Sequence, residues 1–164
     1  MTPRMAVTLA RAEPGDVDAL LPLLEEMDRF YGAEEFEPLE VRARQVRQAL
    51  FSDPPAAYVL LAWEEGLPIG FASYSFLWPA AGVTRSLYLK ELWVTQDRWR
   101  GGVGTALMQR LFEVAAEHGC SRVEWTTDVG NAGAQEFYDA LGVSPLETKL
   151  FYRADGPMIA EGLR

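Results

Sequence analysis

The chain has 164 residues, of which 49% are apolar and 24% charged, with a formal net charge of −9. That length supports one domain with one sizeable core, and the acid excess argues against nucleic acid as a partner, whose phosphates need Lys and Arg to neutralise them. One cysteine, Cys120, and one histidine, His118, exclude an intrachain disulfide and a structural zinc site, so no metal is expected and a reducing cytoplasm fits.

Val7 to Ala10 reads as a short first strand, and Met1 to Arg11 lacks the long apolar run of a signal peptide. Pro14-Gly15-Asp16 opens a helix with Val17, Leu20, Leu21 and Leu24 at helical spacing. After Gly32 and the acidic run Glu34 to Glu37, a second helix is predicted from Leu39 to Phe51, stopped by Asp53-Pro54-Pro55. Ala57 to Trp63 is a near-continuous apolar run, as in a central strand. Glu64-Glu65-Gly66 turns the chain, and Pro68 to Leu77 returns as the next strand. The uncharged stretch Gly66 to Thr84 has the length of a membrane span. Pro68, Gly70, Ser73, Ser75, Pro79 and Gly82 interrupt it, so a strand and turn are expected, with no membrane partner.

Arg85 to Val94 is predicted as a fourth strand, with Leu87, Leu89 and Glu91 facing one way and Tyr88, Lys90 and Leu92 the other. Val103 to Glu117 is helical, with an apolar stripe of Val103, Leu107, Leu111 and Val114. His118 is read as structural at its C-terminus, Gly119 as its stop, and Cys120 as a small buried apolar residue. A fifth strand follows from Arg122 to Thr127, then a helix from about Ala132 to Leu141. Val143 to Arg153 supplies one or two final strands. Strands and helices alternate only in the second half, which implies an α/β (α+β) chain with a mixed sheet. No repeat or linker is visible, so residues 1–164 are expected to form a single domain.

The segment Arg98-Trp99-Arg100-Gly101-Gly102-Val103-Gly104-Thr105 lies between strand and helix. Glycines let a ligand approach the backbone, and the free N–H groups of a helix start favour an anion. Arg98 and Arg100 add positive charge. A diphosphate is the natural guest; a plain tight turn is the competing reading. Thr105-Ala106 follows the last glycine, which does not match the Lys-Ser/Thr of a nucleotide-hydrolysing loop. Leu107 stands where a dinucleotide fingerprint has its third glycine.

Gly102-Val103-Gly104 after a strand, together with Asn131-x-x-Ala134-x-x-Phe137-Tyr138-x-x-Leu141-Gly142, resembles the GNAT family of N-acetyltransferases. In that family the glycine loop reads Gln/Arg-x-x-Gly-x-Gly/Ala, and here Trp99 holds its leading position. Gly70-Phe71-Ala72, Leu87-Tyr88-Leu89-x-Glu91 and Phe137-Tyr138 are most similar to the diamine (spermidine/spermine-type) branch. That branch places two adjacent acids on the fourth strand, where this chain has Lys90-Glu91.

The resemblance implies the GNAT fold: a mostly antiparallel twisted sheet of six to seven strands, splayed between the fourth and fifth, with about four helices. It implies acetyl-CoA as cosubstrate and a homodimer. The implied reaction transfers acetyl to a primary amine of a small cationic acceptor such as a polyamine. Protein or peptide, amino-acid and aminoglycoside acceptors remain alternatives, as does a non-catalytic acyl-CoA sensor.

The cofactor contacts implied are Leu92, Trp93, Val94, Arg98, Trp99, Arg100, Gly101, Gly102, Val103, Gly104, Thr105, Asn131 and Tyr138. Leu92 and Val94 would act through their main chain, bonding the pantetheine arm by strand addition and supplying an oxyanion N–H. The candidate base is Glu91, otherwise a surface carboxylate, because an alkylammonium must lose a proton before it attacks. Tyr138 matches the tyrosine that protonates the leaving thiolate, and is otherwise a half-buried aromatic. Asn131 serves as helix cap, ligand-binding amide, or both. Glu25, Glu26, Asp28, Glu34, Glu35 and Glu37 would wall the acceptor site or form a solvated face. Phe30, Tyr31, Tyr74, Phe76 and Trp78 would line it or be core.

Overall fold

The computed structural model describes residues 6–163; Met1–Met5, part of the stretch read above for a leader, lie outside the described residues, as does Arg164. Two units are distinguished, the first ending at Thr126 and the second beginning at Thr127.

The first unit holds a five-stranded sheet in the order β1-β2-β3-β4-β5. Its strands are β1 Thr8–Arg11, β2 Tyr58–Glu64, β3 Leu67–Leu77, β4 Arg85–Val94 and β5 Cys120–Glu124. The first four pair antiparallel, and β5 runs parallel to β4. The uncharged stretch Gly66 to Thr84 is thus β3 and its following turn. Among the described residues no helix is long and apolar enough to cross a membrane.

Helices α1 (Val17–Phe30), α2 (Leu39–Phe51) and α3 (Val103–Glu117) complete this unit. Pro14-Gly15-Asp16 forms a single 3₁₀ turn before α1, and Gln96–Arg98 another before the glycine loop. Leu20, Leu23 and Met27 of α1 bury against Val59, Leu61, Phe71 and Trp93 of the sheet. Leu61, Phe71 and Trp93 lie in one cross-strand row, which builds that face of the core. Leu61 and Phe71 are fully buried, and burying each side chain contributes about 2 kcal/mol. The predicted stripe of α3 is observed: Val103, Leu107, Leu111 and Val114 are all buried. Gly70 is required where β3 crosses β4, because a Cβ there would stand 2.8 Å from the Trp93 carbonyl oxygen.

The sheet departs from simple alternation on β4. Ser73 pairs with Glu91 but Tyr74 pairs with Leu89, which leaves Lys90 as an extra residue. A bulge of this kind reverses the facing of everything beyond it. Leu87 and Leu89 share the face of Phe76 and Tyr74, whereas Glu91 and Trp93 share that of Ser73 and Phe71. Glu91 therefore does not face the same way as Leu87 and Leu89, contrary to the sequence reading.

The second unit contains α4 (Ala132–Ala140) and α5 (Gly156–Glu161). The predicted strands between Val143 and Arg153 are not formed, and a turn at Glu147 and Thr148 interrupts the stretch. A strand needs a ladder partner as well as a suitable local pattern, and no described strand pairs with these residues. The described residues thus hold five strands where six to seven were expected. They hold five α-helices, α5 being additional to the four expected.

Candidate functional site

Gly102 is the N-cap of α3, with φ 89° and ψ 2°. This left-handed conformation admits glycine at little cost and turns the chain abruptly from the loop into the helix. The first backbone bond of α3 runs from Ala106 N–H to the Gly102 carbonyl at 3.0 Å. The amides of Val103, Gly104 and Thr105 consequently point out of the helix end. Three convergent N–H donors at the positive end of a 15-residue helix form an anion-binding cradle. A diphosphate fits this donor set.

The two arginines of the loop differ. The Arg98 guanidinium bonds Glu64 at 3.2 Å and Asp97 at 3.0 Å. The hydrogen bond and charge of Glu64 raise its pKa further above the ordinary range. Arg98 thus ties the loop to the end of β2, with its charge already answered. Arg100 makes no ion pair among the described residues and has φ 63°, a left-handed backbone that costs a non-glycine residue about 1–2 kcal/mol. A cavity of about 450 Å³ opens beside this turn, lined by Glu64, Arg98, Trp99, Arg100, Gly101 and Val103 among others.

The end of β4 offers a second set of main-chain groups. The parallel ladder with β5 stops at Tyr88–Glu124, while β4 continues to Val94. Thr95 N–H donates to the Ile69 carbonyl at 2.9 Å, so the Thr95 peptide faces β3. Peptide groups alternate along an antiparallel strand. Those of Leu92 and Val94 therefore face away from β3, on the side where the ladder to β5 has ended. One of these groups is already used: the Trp99 indole N–H donates to the Val94 carbonyl. Trp99, at the position where the resemblance has Gln or Arg, packs on Phe30 at 5.5 Å and Trp93 at 5.9 Å between centroids. It is 47% exposed.

The acidic residues of α1 divide by partner. Glu25 binds Arg29 at 2.7 Å and Arg42 at 3.4 Å, and the Arg29 hydrogen bond chiefly holds its carboxyl below the usual range. Glu26 accepts from the Trp93 indole at 3.2 Å. Asp28, Glu34, Glu35 and Glu37 are exposed. Among the aromatics, Tyr74 is buried and stacks on Tyr58, and Phe76 stacks on His118. Trp78 is 67% exposed and donates to the Val83 carbonyl within its own turn. Phe30 and Tyr31 join Trp93 and Trp99 in a ring cluster at the end of α1. Glu91 is half-buried on the Trp93 face of β4. Cys120 is half-buried and not fully buried as expected, and burial pushes its thiol pKa up.

In the second unit Asn131 caps α4, its Oδ1 accepting from Ala134 N–H at 3.1 Å. Tyr138 lies on α4 beside Phe137, 5.2 Å between ring centroids. Gln135 reaches back to the Asp128 and Val129 carbonyls and holds the approach to the helix. Among the described residues no group of three or more His, Cys, Asp or Glu is placed to hold a metal.

Two features had little signal in the sequence. The Trp99–Val94 bond joins residues 5 apart that pattern reading assigns to separate elements. The Glu26–Trp93 bond spans 67 positions. An aromatic in place of a polar loop residue was the one cue to the first.

The chain is 26% identical over 152 residues to the thialysine N-epsilon-acetyltransferase of Bos taurus, covering 85% of each chain. It is 25% identical over 148 residues to the spermidine/spermine N(1)-acetyltransferase-like protein 1 of Homo sapiens, covering 86% of this chain and 21% of that longer protein. Among solved structures, an integron cassette protein from the mobile metagenome of V. cholerae superposes with a TM-score of 0.88 at 28% identity, over 96% of this chain and 97% of that one. The profile of the acetyltransferase (GNAT) family matches residues 20–143, a span that contains both the α3 cradle and the Asn131–Tyr138 motif. The chain is a GNAT acetyltransferase by family.

Proposed function

We propose that this chain transfers acetyl from acetyl-CoA to a primary amine of a small cationic acceptor, by direct attack on the thioester. The supporting observation is the α3 cradle: Gly102 in a left-handed turn, followed by three amides without intrahelical acceptors. Those amides would hold the diphosphate of the cosubstrate, with Arg100 supplying positive charge. The outward main-chain groups of Leu92 and the Val94 N–H would take the pantetheine arm as an added strand. Trp99 denies that arm the Val94 carbonyl.

The incoming amine must be neutral to attack. Glu91 is assigned as the base, directly or through one water. As the thioester carbonyl becomes tetrahedral, a main-chain N–H of the Leu92–Val94 stretch would stabilise its negative oxygen. Tyr138 carries the acid role and returns a proton to the leaving thiolate. The working unit is a pair of chains within a reducing compartment, and residues 1–164 act as one domain.

A cationic acceptor is favoured by the net charge of −9 and by the exposed acids Asp28, Glu34, Glu35 and Glu37 after and along α1. The names of the polyamine-type and thialysine relatives point to small amines. The test is an amine panel with acetyl-CoA, following release of free thiol. Turnover with spermidine or thialysine and none with peptides supports the reading. Turnover confined to peptides or aminoglycosides overturns the acceptor class, and coenzyme binding without turnover on any amine overturns the catalytic reading.

A further inference from the structure

Four aromatic rings meet where the end of α1 packs against the end of β4. Phe30 lies 5.1 Å from Tyr31, 5.3 Å from Trp93 and 5.5 Å from Trp99 between centroids. Trp93 is 3% exposed and forms the floor, whereas Phe30 is 46% exposed and Tyr31 53%. Both indole N–H groups are occupied, Trp93 donating to the Glu26 carboxylate and Trp99 to the Val94 carbonyl. Those bonds fix the two indoles, and the indoles brace Phe30. What Phe30 offers to solvent is therefore a held ring surface, and a carboxylate accepting from the Trp93 N–H makes the floor richer in π electrons.

Ring faces attract cations, and the charge around this cluster has the matching sign. From Phe30 to Val41 the chain carries Glu34, Glu35, Glu37 and Glu40 and neither Lys nor Arg. The flanking arginines are engaged: Arg29 and Arg42 both bind Glu25 and both lie over the Phe36 ring. Arg98 is answered by Glu64 and Asp97. The acids set the field, while rings supply the contact. A primary ammonium gives up water poorly to a surface without acceptors. An alkylated ammonium, whose methyl groups need no acceptor, suits it.

We propose that Phe30 and Tyr31, backed by Trp93, form a subsite for an alkylated ammonium group at the far end of the acceptor. Glu91 and Trp93 share one face of β4 two residues apart, about 7 Å along the strand. A base at one and a cation-binding surface above the other suit two nitrogens separated by a short carbon chain. The subsite deepens the acceptor class of the proposed function and rests on that reading, but binding at the rings is measurable without acetyl transfer.

The first arm titrates the full chain with choline and with its neutral isostere 3,3-dimethylbutanol, following tryptophan fluorescence. Choline is expected to give a saturable change and the isostere none over the same range; equal responses, or none to choline, overturn the subsite. Phe30→Leu, which keeps an apolar side chain, and Tyr31→Leu are each expected to weaken choline about 3–30-fold, and unchanged affinity in both overturns it. The second arm measures turnover of butylamine and of N,N-dimethyl-1,4-diaminobutane with acetyl-CoA. The diamine is expected to have the lower KM, and Phe30→Leu to erase that preference while leaving the KM for butylamine and for acetyl-CoA in place. A diamine KM no lower than that of butylamine, or a Phe30→Leu effect equal on both amines, overturns it. Choline binding without turnover of any amine overturns the catalytic reading and leaves the cation subsite standing.

Discussion

Gly102→Ala tests the cradle at the point where its geometry is most constrained. The residue sits at φ 89°, ψ 2° at the head of α3, and an alanine in the left-handed region costs about 1–2 kcal/mol. That cost has two destinations. If the turn keeps its shape, the folded state bears it, and for a domain of this size the melting temperature falls by roughly 2–8 °C. If the turn relaxes, the amides of Val103–Thr105 swing away and the cost appears in binding, as about 5–30-fold weaker coenzyme A affinity. Scanning calorimetry of the free protein and titration calorimetry with coenzyme A separate the two. The expected outcome is a loss in at least one, with the combined loss near 1–2 kcal/mol. Gly130→Ala is the control: it has no positive φ and no atom within 4 Å of an added Cβ, so both quantities should hold. A Gly102→Ala protein unchanged in both would refute the left-handed cap and the binding role built on it.

Tyr138→Phe should lower kcat by about 10²-fold or more and weaken coenzyme A binding far less; equal turnover removes the acid role. Trp99→Phe keeps a ring against Phe30 and Trp93 but deletes the donor to the Val94 carbonyl, so stability should fall by about 1 kcal/mol with a changed KM for acetyl-CoA and little change in the KM for amine. An effect on the amine KM alone would contradict its placement. Glu25 has a carboxyl held below the ordinary range by Arg29 and Arg42. A folded-state pKa depressed in this way adds stability above the unfolded pKa, and that stability is lost as pH falls through the folded value. Glu25→Gln should therefore be less stable than the parent at neutral pH, with the gap closing under acid, and a gap that widens on acidification would contradict the ion pairs.

Elements whose cues are local were legible in the sequence. α2, β4 and α3 have the bounds that Pro, Gly and the apolar stripe dictate: Leu39–Phe51, Arg85–Val94 and Val103–Glu117. Properties that belong to two segments at once were not. The bulge at Lys90 exists only in the register between β3 and β4, so simple alternation put Glu91 on the wrong face. The Val143–Arg153 stretch has strand composition, but composition does not supply a ladder partner. β5 was read two residues late at its start because Cys120 and Ser121 look like the end of the preceding turn; Cys120 joins the sheet by pairing with Arg85, and Ser121 is the extra residue before the Ser86–Arg122 pair. In the candidate site the glycine cradle and the Asn131 cap were visible as spacing. The neutralisation of Arg98 by Glu64 and the occupation of the Val94 carbonyl by Trp99 depend on three-dimensional proximity alone.

The most direct measurement is a crystal structure of the chain with coenzyme A. The cradle predicts diphosphate oxygens about 3 Å from the main-chain nitrogens of Val103, Gly104 and Thr105. Coenzyme A bound with its phosphates elsewhere, and this helix start facing only solvent, would contradict it.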